Sequence, residues 1–298
     1  MAIWVCGEAL IDKITIGGQL REIPGGGPAN TAHALARLAV ASEFIGGLSS
    51  DSYGQMMREQ FTAAGVGLRF TPTHELPTCT ANVTIAADGS ASYQFVIDGT
   101  ATFAYAEANL PEVEREAVEA IYFGTLATIV EPGASVLFEW MKKAVGKVPI
   151  IFDPNIRPTV LGDRERYQSA VARFLQISDV VKASTDDIGW LYPEMNEFEV
   201  AKSWLERGVK LVVITRGENG LVGITAEHII EVPGIKVDVV DTVGAGDTVG
   251  AIIAEGIVHH GLERVLTSEL SHILHRAVQA SAITCSRQGA QPPYKKEL

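Results

Sequence analysis

Short runs of β-branched and other apolar residues, at 3–6, 148–152, 180–182 and 211–215, alternate in this chain with longer stretches of helical periodicity bounded by polar caps. That alternation is the pattern of βαβ units. Strands joined through helices lie parallel and take helices on both faces, so the pattern predicts an α/β fold with a mainly parallel, doubly wound sheet. The length, 298 residues, suits one large unit of this kind carrying an insertion. With no internal repeat, low-complexity tract or Gly/Ser linker to mark a boundary, residues 1–298 read as a single domain.

Between 80 and 97 the pattern changes. Ala81, Val83 and Ile85, then Tyr93, Phe95 and Ile97, alternate with polar residues on either side of Asp88-Gly89. Alternation buries one face of a strand, and Asp-Gly is a hairpin turn signal. A parallel strand buried on both faces would not alternate, so the segment predicts a hairpin outside the main sheet, a small β lid. An antiparallel extension at the edge of the main sheet fits the same pattern.

Composition excludes several functions. Hydrophobic residues make up 47% and charged residues 20% of the chain, the balance of a globular enzyme. A net charge of −12 disfavours nucleic acid as a partner. The apolar runs stop far short of the roughly 20 residues that span a bilayer, and the first residues run into a strand without a basic leader. The expected partners are small molecules, not membranes, and the expected location is the cytoplasm. Cys6, Cys79 and Cys285 lack ligand spacing and read as reduced thiols.

Candidate chemistry centres on Asp241-Thr242-Val243-Gly244-Ala245-Gly246-Asp247-Thr248, which opens a small-residue helix over 249–258. Glycines let backbone approach a ligand, and the N–H groups of a first helical turn point outward at the positive end of the helix dipole. A carboxylate placed there, at Asp247, can accept a proton from a hydroxyl while the turn receives developing phosphoryl charge. A helix cap accounts for a lone aspartate equally well. The glycine spacing misses a dinucleotide fingerprint by one residue, and no Gly-x-x-x-x-Gly-Lys-Ser/Thr loop occurs.

Upstream, Gly25-Gly26-Gly27-Pro28-Ala29-Asn30 precedes an alanine-rich helix over 31–38, with Asp12 nearby. Exposed glycine backbone beside an aspartate and an asparagine suits a polyol; Asn30 as an N-cap fits as well.

The pairing of Gly26-Gly27-Pro28-Ala29-Asn30 with Asp241-Thr242-Val243-Gly244-Ala245-Gly246-Asp247 resembles the ribokinase-like carbohydrate kinases, the PfkB family. The resemblance continues through Gly46-Gly47-Leu48-Ser49-Ser50-Asp51, Asp153-Pro154-Asn155-Ile156-Arg157, Thr215-Arg216-Gly217-Glu218-Asn219-Gly220 and Gly289-Ala290. Glu131-Pro132 and the Asp153–Arg157 segment look most like its fructokinase members. The resemblance implies a three-layer α/β/α core, a β lid from about 11–20 and 78–103, dimerisation through the lids, ATP as donor with Mg²⁺, and a hexose or keto-sugar, fructose first, as acceptor. By the same resemblance Asp247 is the base and Gly244, Ala245 and Gly246 form the anion hole. Asp12, Gly26, Gly27, Asn30 and Glu131 then contact the sugar, and Lys182, Ser184, Thr215, Gly217, Gly220 and Gly246 the nucleotide.

The pattern departs from the family in two places. Relatives carry Asn-x-x-Glu to organise Mg²⁺, where this chain has Ser184-Thr185-Asp186-Asp187; Asp187 is expected to act on the ion through a water. Pro293 stands where potassium-using relatives have a serine, so K⁺ near Asp241 is left open. Histidines 259, 260, 272 and 275 lack acidic or cysteine partners at ligand spacing and read as surface or packing residues. Two other functions fit. One is a nucleoside kinase, with Phe95, Phe103 and Tyr105 as a slot for a base; the other is a sugar sensor without turnover.

Overall fold

The computed structural model describes residues 2–16, 19–85 and 91–298. In chain order its elements are β1 (Ala2–Cys6), β2 (Leu10–Ile16), β3 (Gln19–Gly25), α1 (Gly27–Arg37), β4 (Ser42–Ile45), β5 (Leu48–Ser49), α2 (Ser52–Ala64), β6 (Thr73–His74), β7 (Thr80–Ile85), β8 (Ala91–Val96) and β9 (Val118–Gly124). There follow α3 (Gly133–Lys142), β10 (Ile150–Asp153), α4 (Arg164–Leu175), β11 (Val180–Ser184), α5 (Thr185–Leu191), α6 (Glu197–Leu205), β12 (Leu211–Thr215), β13 (Leu221–Ile224), β14 (Ile229–Val232), α7 (Ala245–His260), α8 (Leu262–Val265) and α9 (Leu270–Cys285).

The main sheet has eight strands in the order β14-β13-β12-β11-β10-β9-β1-β4. Pairing is parallel from β4 through β12 and antiparallel where β13 and β14 close one edge. Successive side chains on a strand point to opposite faces, and the core divides accordingly. Ile121 and Phe123 of β9 pack with residues of α3, α4, α5 and α6. Ala120 and Tyr122 of the same strand pack with α1, α2, α7 and α9. The result is an α/β/α arrangement around a mixed, mostly parallel sheet.

The predicted hairpin belongs to a separate four-stranded sheet, β3-β2-β7-β8, not to an edge of the main one. Its Asp88-Gly89 turn lies outside the described residues. Strand β3 continues this sheet to Gly25, past the boundary expected at residue 20. Most of β3 is exposed, so it shows no apolar alternation by which sequence would reveal it.

Two helices start where the chemistry needs them. Helix α1 begins at Gly27, four residues before the expected start, because Pro28 supplies a preset helical φ in the first turn. Gly26, at φ 112, is its N-cap, and Asn30 donates its backbone N–H to Gly26 O at 2.9 Å. Asn30 is therefore inside the helix, which frees its side chain. Helix α7 starts after Gly244, at φ 78, with no side-chain cap. Every residue from Asp247 to Ile257 is buried, so α7 runs as a central helix with small residues facing its neighbours.

One close approach depends on a missing side chain. A Cβ at Gly250 of α7 would stand 2.5 Å from the Tyr122 hydroxyl. Tyr122 is fully buried and its hydroxyl is tied to Asp153 at 2.9 Å, so it cannot easily withdraw. Gly250→Ala is expected to cost about 1–3 kcal/mol through overpacking, read as a lower urea midpoint. An unchanged midpoint would show that the helix and sheet can separate there.

Candidate active site

The C-terminal ends of the parallel strands gather the chemistry, as expected for an open α/β sheet. Gly124 at the end of β9 pairs with Asp153 at the end of β10. Ser184 at the end of β11 pairs with Thr215 at the end of β12. The first turn of α7 and the start of α1 meet above these ends.

Asp247 sits in that turn, 8% exposed. Its Oδ2 accepts a hydrogen bond from Asn30 Nδ2 at 2.8 Å, and its Oδ1 accepts none among the described residues. Asp247 does not cap its helix. A Cβ at Gly27 would lie 2.8 Å from Asn155 Nδ2, 3.0 Å from Thr125 Cγ2 and 3.2 Å from Asp247 Oδ1. Gly27 thus presents bare backbone to a small space bounded by Asn155, Thr125 and Asp247, with Asn30 behind the carboxylate. Gly25 and Gly26 lead from the second sheet into Gly27, and a Cβ at Gly25 would run into Asp12 Oδ2.

Of the three amides expected to form an anion hole, that of Ala245 donates to Thr242 O at 3.2 Å. The N–H groups of Gly244, Gly246 and Asp247 make no hydrogen bond among the described residues. Those three N–H groups are left unpaired at the positive end of α7, whereas that of Ala245 is engaged within the turn.

Burial sets the protonation of the carboxyl groups here. Desolvation pushes Asp247 up to about 6, opposed first by the Lys182 charge and then by the Asn30 hydrogen bond. Burial likewise raises Asp12 to about 6, with Arg157 opposing it. Glu8, buried and accepting a short hydrogen bond from the Thr125 hydroxyl, is raised by desolvation to about 7.

Several expected residues have other tasks. Glu131 accepts from Ser135 N and Oγ at 3.1 and 2.9 Å and faces Arg173 at 3.7 Å, so it braces the first turn of α3. Ser184 and Asp187 close on each other in a capping box at α5. Asp187 Oδ1 takes the Ile156 N–H at 2.7 Å and Oδ2 takes the Ser184 hydroxyl at 2.7 Å, so each oxygen already accepts from a protein donor. Asp241 accepts from Val243 N and Gly289 N at 3.0 and 2.9 Å, which draws the turn against residues 289–290. Lys182 is buried against Asp153. Thr215 ends β12, and Gly217 and Gly220, at φ 56 and 89, shape the connection to β13. Phe103 is core, and the Tyr105 hydroxyl donates to Gly7 O at 3.1 Å, so these two do not form an open slot for a base.

The residues that sequence reasoning left without a role are Glu8, Thr125 and Asn155. Thr125 and Asn155 carry positive φ, 56° and 40°, a conformation that costs a non-glycine residue energy and gathers at functional sites. Asn155 belongs to the Asp153–Arg157 motif, and Glu8 to the segment that leads from Gly7 to Asp12, where the aspartate alone has the polyol-binding pattern.

Comparison with known proteins decides the family. The model of the pfkB family carbohydrate kinases matches residues 7–297. The chain belongs to the pfkB family of carbohydrate kinases. Among curated relatives of this kinase, a fructokinase of Rhizobium leguminosarum bv. trifolii is 35% identical over 254 residues, 84% of this chain and 77% of that protein. Among solved structures, an ATP-bound fructokinase of Xylella fastidiosa superposes with a TM-score of 0.88 at 25% identity, covering 99% and 96% of the two chains. A double mutant of a Vibrio cholerae O395 fructokinase, bound to fructose, ADP and potassium ion, superposes with a TM-score of 0.83 at 25% identity, covering 97% and 93%.

The raised carboxyl groups of this kinase are expected to make its stability fall as pH rises through their range. Glu8, Asp12 and Asp247 bind protons more tightly folded than unfolded, so their contribution is full below their ordinary values and is lost as pH rises through about 6 to 7. For Glu8 alone the loss is on the order of 3 kcal/mol. The urea midpoint of the free enzyme is expected to drop between pH 5 and pH 8, and Glu8→Gln to flatten that slope. Identical slopes in the two proteins would show that Glu8 ionises in the folded chain as readily as in the unfolded one.

Proposed function

We propose that this kinase transfers the γ-phosphoryl group of ATP to a hydroxyl of fructose, with Asp247 as the general base. The observation that carries this reading is Asp247 itself: buried, oriented through one oxygen by Asn30 at 2.8 Å, and presenting the other toward Gly27 beside unpartnered helix-turn amides. A carboxylate held in this way accepts the proton of the attacking hydroxyl. The N–H groups of Gly244, Gly246 and Asp247, at the positive end of α7, take up charge on the transferring group. Phosphoryl transfer asks for positioning and electrostatics more than covalent chemistry, which suits a site of fixed backbone donors.

Family membership supports the phosphotransferase class, and the relatives named fructokinase support the acceptor. Asp12, the Gly26 and Gly27 backbone, Asn30 and Asn155 supply donors and acceptors for a polyol. The nucleotide is proposed to lie along the ends of β11 and β12, toward Thr215 and Gly217, with its phosphates at the α7 turn. Mg²⁺ would come as the counter-ion of the ATP phosphates. Asp187, whose oxygens already accept from Ile156 and Ser184, is proposed to act on the ion through a water of its hydration shell and not as a direct ligand. The second sheet is proposed as a lid over the sugar and as a surface for a second copy; Leu20, Ile23 and Val96 are exposed on it at 55%, 44% and 40%.

In a coupled ADP-release assay with MgATP, fructose is expected to stimulate turnover, and Asp247→Asn to lower kcat by about 10²–10⁴-fold while fructose still binds. Turnover near that of the parent in a folded Asp247→Asn variant would remove Asp247 from the base role. Stimulation by another sugar alone would keep the mechanism and replace the acceptor.

A further inference from the structure

Lys182 and Asp153 form a buried ion pair that the transfer scheme leaves unused. Their side chains are 4% and 1% exposed, and Lys182 Nζ donates to Asp153 Oδ2 at 2.8 Å. Tyr122 donates its hydroxyl to the same oxygen at 2.9 Å, while Asp153 Oδ1 is buried without a partner. A buried ammonium is costly unless its position serves to offset the desolvation.

That position is under α7. A Cβ at Gly246 would stand 3.0 Å from Lys182 Nζ, and one at Gly250 would stand 2.5 Å from the Tyr122 hydroxyl. Residues 246 and 250 are four apart and share one helix face. The two glycines therefore open a strip along α7 into which the Tyr122–Asp153–Lys182 network fits. The ammonium end of that network lies against the turn that carries Asp247, and its hydrogen bond to Asp153 is the only one it makes among the described residues.

We propose that Lys182 is a positioning residue for phosphoryl transfer: Asp153 locks its ammonium beneath the first turn of α7, where it keeps Asp247 ionised and adds fixed positive charge beneath the amides. This inference rests on the reading of Asp247 as the base. It reassigns Lys182, which sequence placed in contact with the nucleotide. The charged and titratable groups that act on Asp247 are Lys182 and Arg157, which favour its ionised form, and Asp153, which opposes it. Tyr122 and Asp187 act on the pair itself. The Lys182 charge is the largest influence opposing burial, and it outweighs the Asp153 charge, which acts with burial.

The positive charge beneath the turn supplies the test. The readout is the acid limb of kcat/KM for the sugar at saturating MgATP in the parent, Lys182→Met, Asp153→Asn and Tyr122→Phe; ATP titrates alike in all four. Removing the ammonium is expected to move the limb to higher pH by about half a unit or more. Asp153→Asn is expected to move it the same way, because a buried ammonium that loses its carboxylate sheds its proton and the Lys182 charge outweighs that of Asp153 at Asp247. Tyr122→Phe, which removes only a neutral donor to Asp153, is expected to leave the limb in place. A merely structural role lowers activity in these variants without moving the limb, and a limb that stays put in Lys182→Met overturns the proposal. If Lys182→Met does not fold, Asp153→Asn decides alone: an upward shift upholds the proposal, and an unmoved or lowered limb overturns it. Failure of Asp247 as base is distinguishable, because Asp247→Asn would then retain turnover.

Discussion

A carboxylate kept out of water at the positive end of a buried helix is the constraint on which the rest of this structure depends. Desolvation disfavours the ionised form of Asp247, and only local compensation keeps it available: the Asn30 hydrogen bond, the Lys182 charge and the dipole of α7. Each compensating group comes from a different part of the chain. Asn30 comes from α1, Lys182 from β11 and the dipole from α7 itself, so the site exists only when the layer that holds α1 and α7 is packed on the sheet.

Small residues make that convergence feasible. Gly27 opens the acceptor space, and Gly246 and Gly250 let the buried Lys182–Asp153–Tyr122 network lie against α7. Positive φ at Thr125 and Asn155 aims two more side chains at the same space, a local cost carried by the well-packed strands β9 and β10 that precede them. The stability of the sheet thus supports strain where the substrate is to sit.

Much of this was legible in sequence. The parallel sheet announced itself through short β-branched runs, and the alternation of 80–97 set that segment apart from them, because half-buried and fully buried strands differ in pattern; whether it formed a separate sheet or an edge of the main one took the strand order to decide. Asp247, Asn30 and the glycines were marked by their resemblance to carbohydrate-kinase motifs, since spacing alone fits helix caps and tight turns as well. Strand β3 was missed because it is mostly exposed. The structural duties of Ser184, Asp187 and Glu131 were hidden because a carboxylate that caps a helix and one that binds a ligand look alike until its hydrogen-bond partners are seen. Glu8 left no periodic trace, and the burial of Lys182 depends on its ion pair with Asp153, 29 residues away in the chain.

The central claim, a desolvated Asp247 acting as base, is met most directly by the pH dependence of fructose-dependent kcat/KM in the parent enzyme. With the carboxyl raised to about 6, activity should climb through an acid limb near that pH as the group ionises. A profile flat down to pH 4.5, where a buried Asp247 would be largely protonated, would contradict the account.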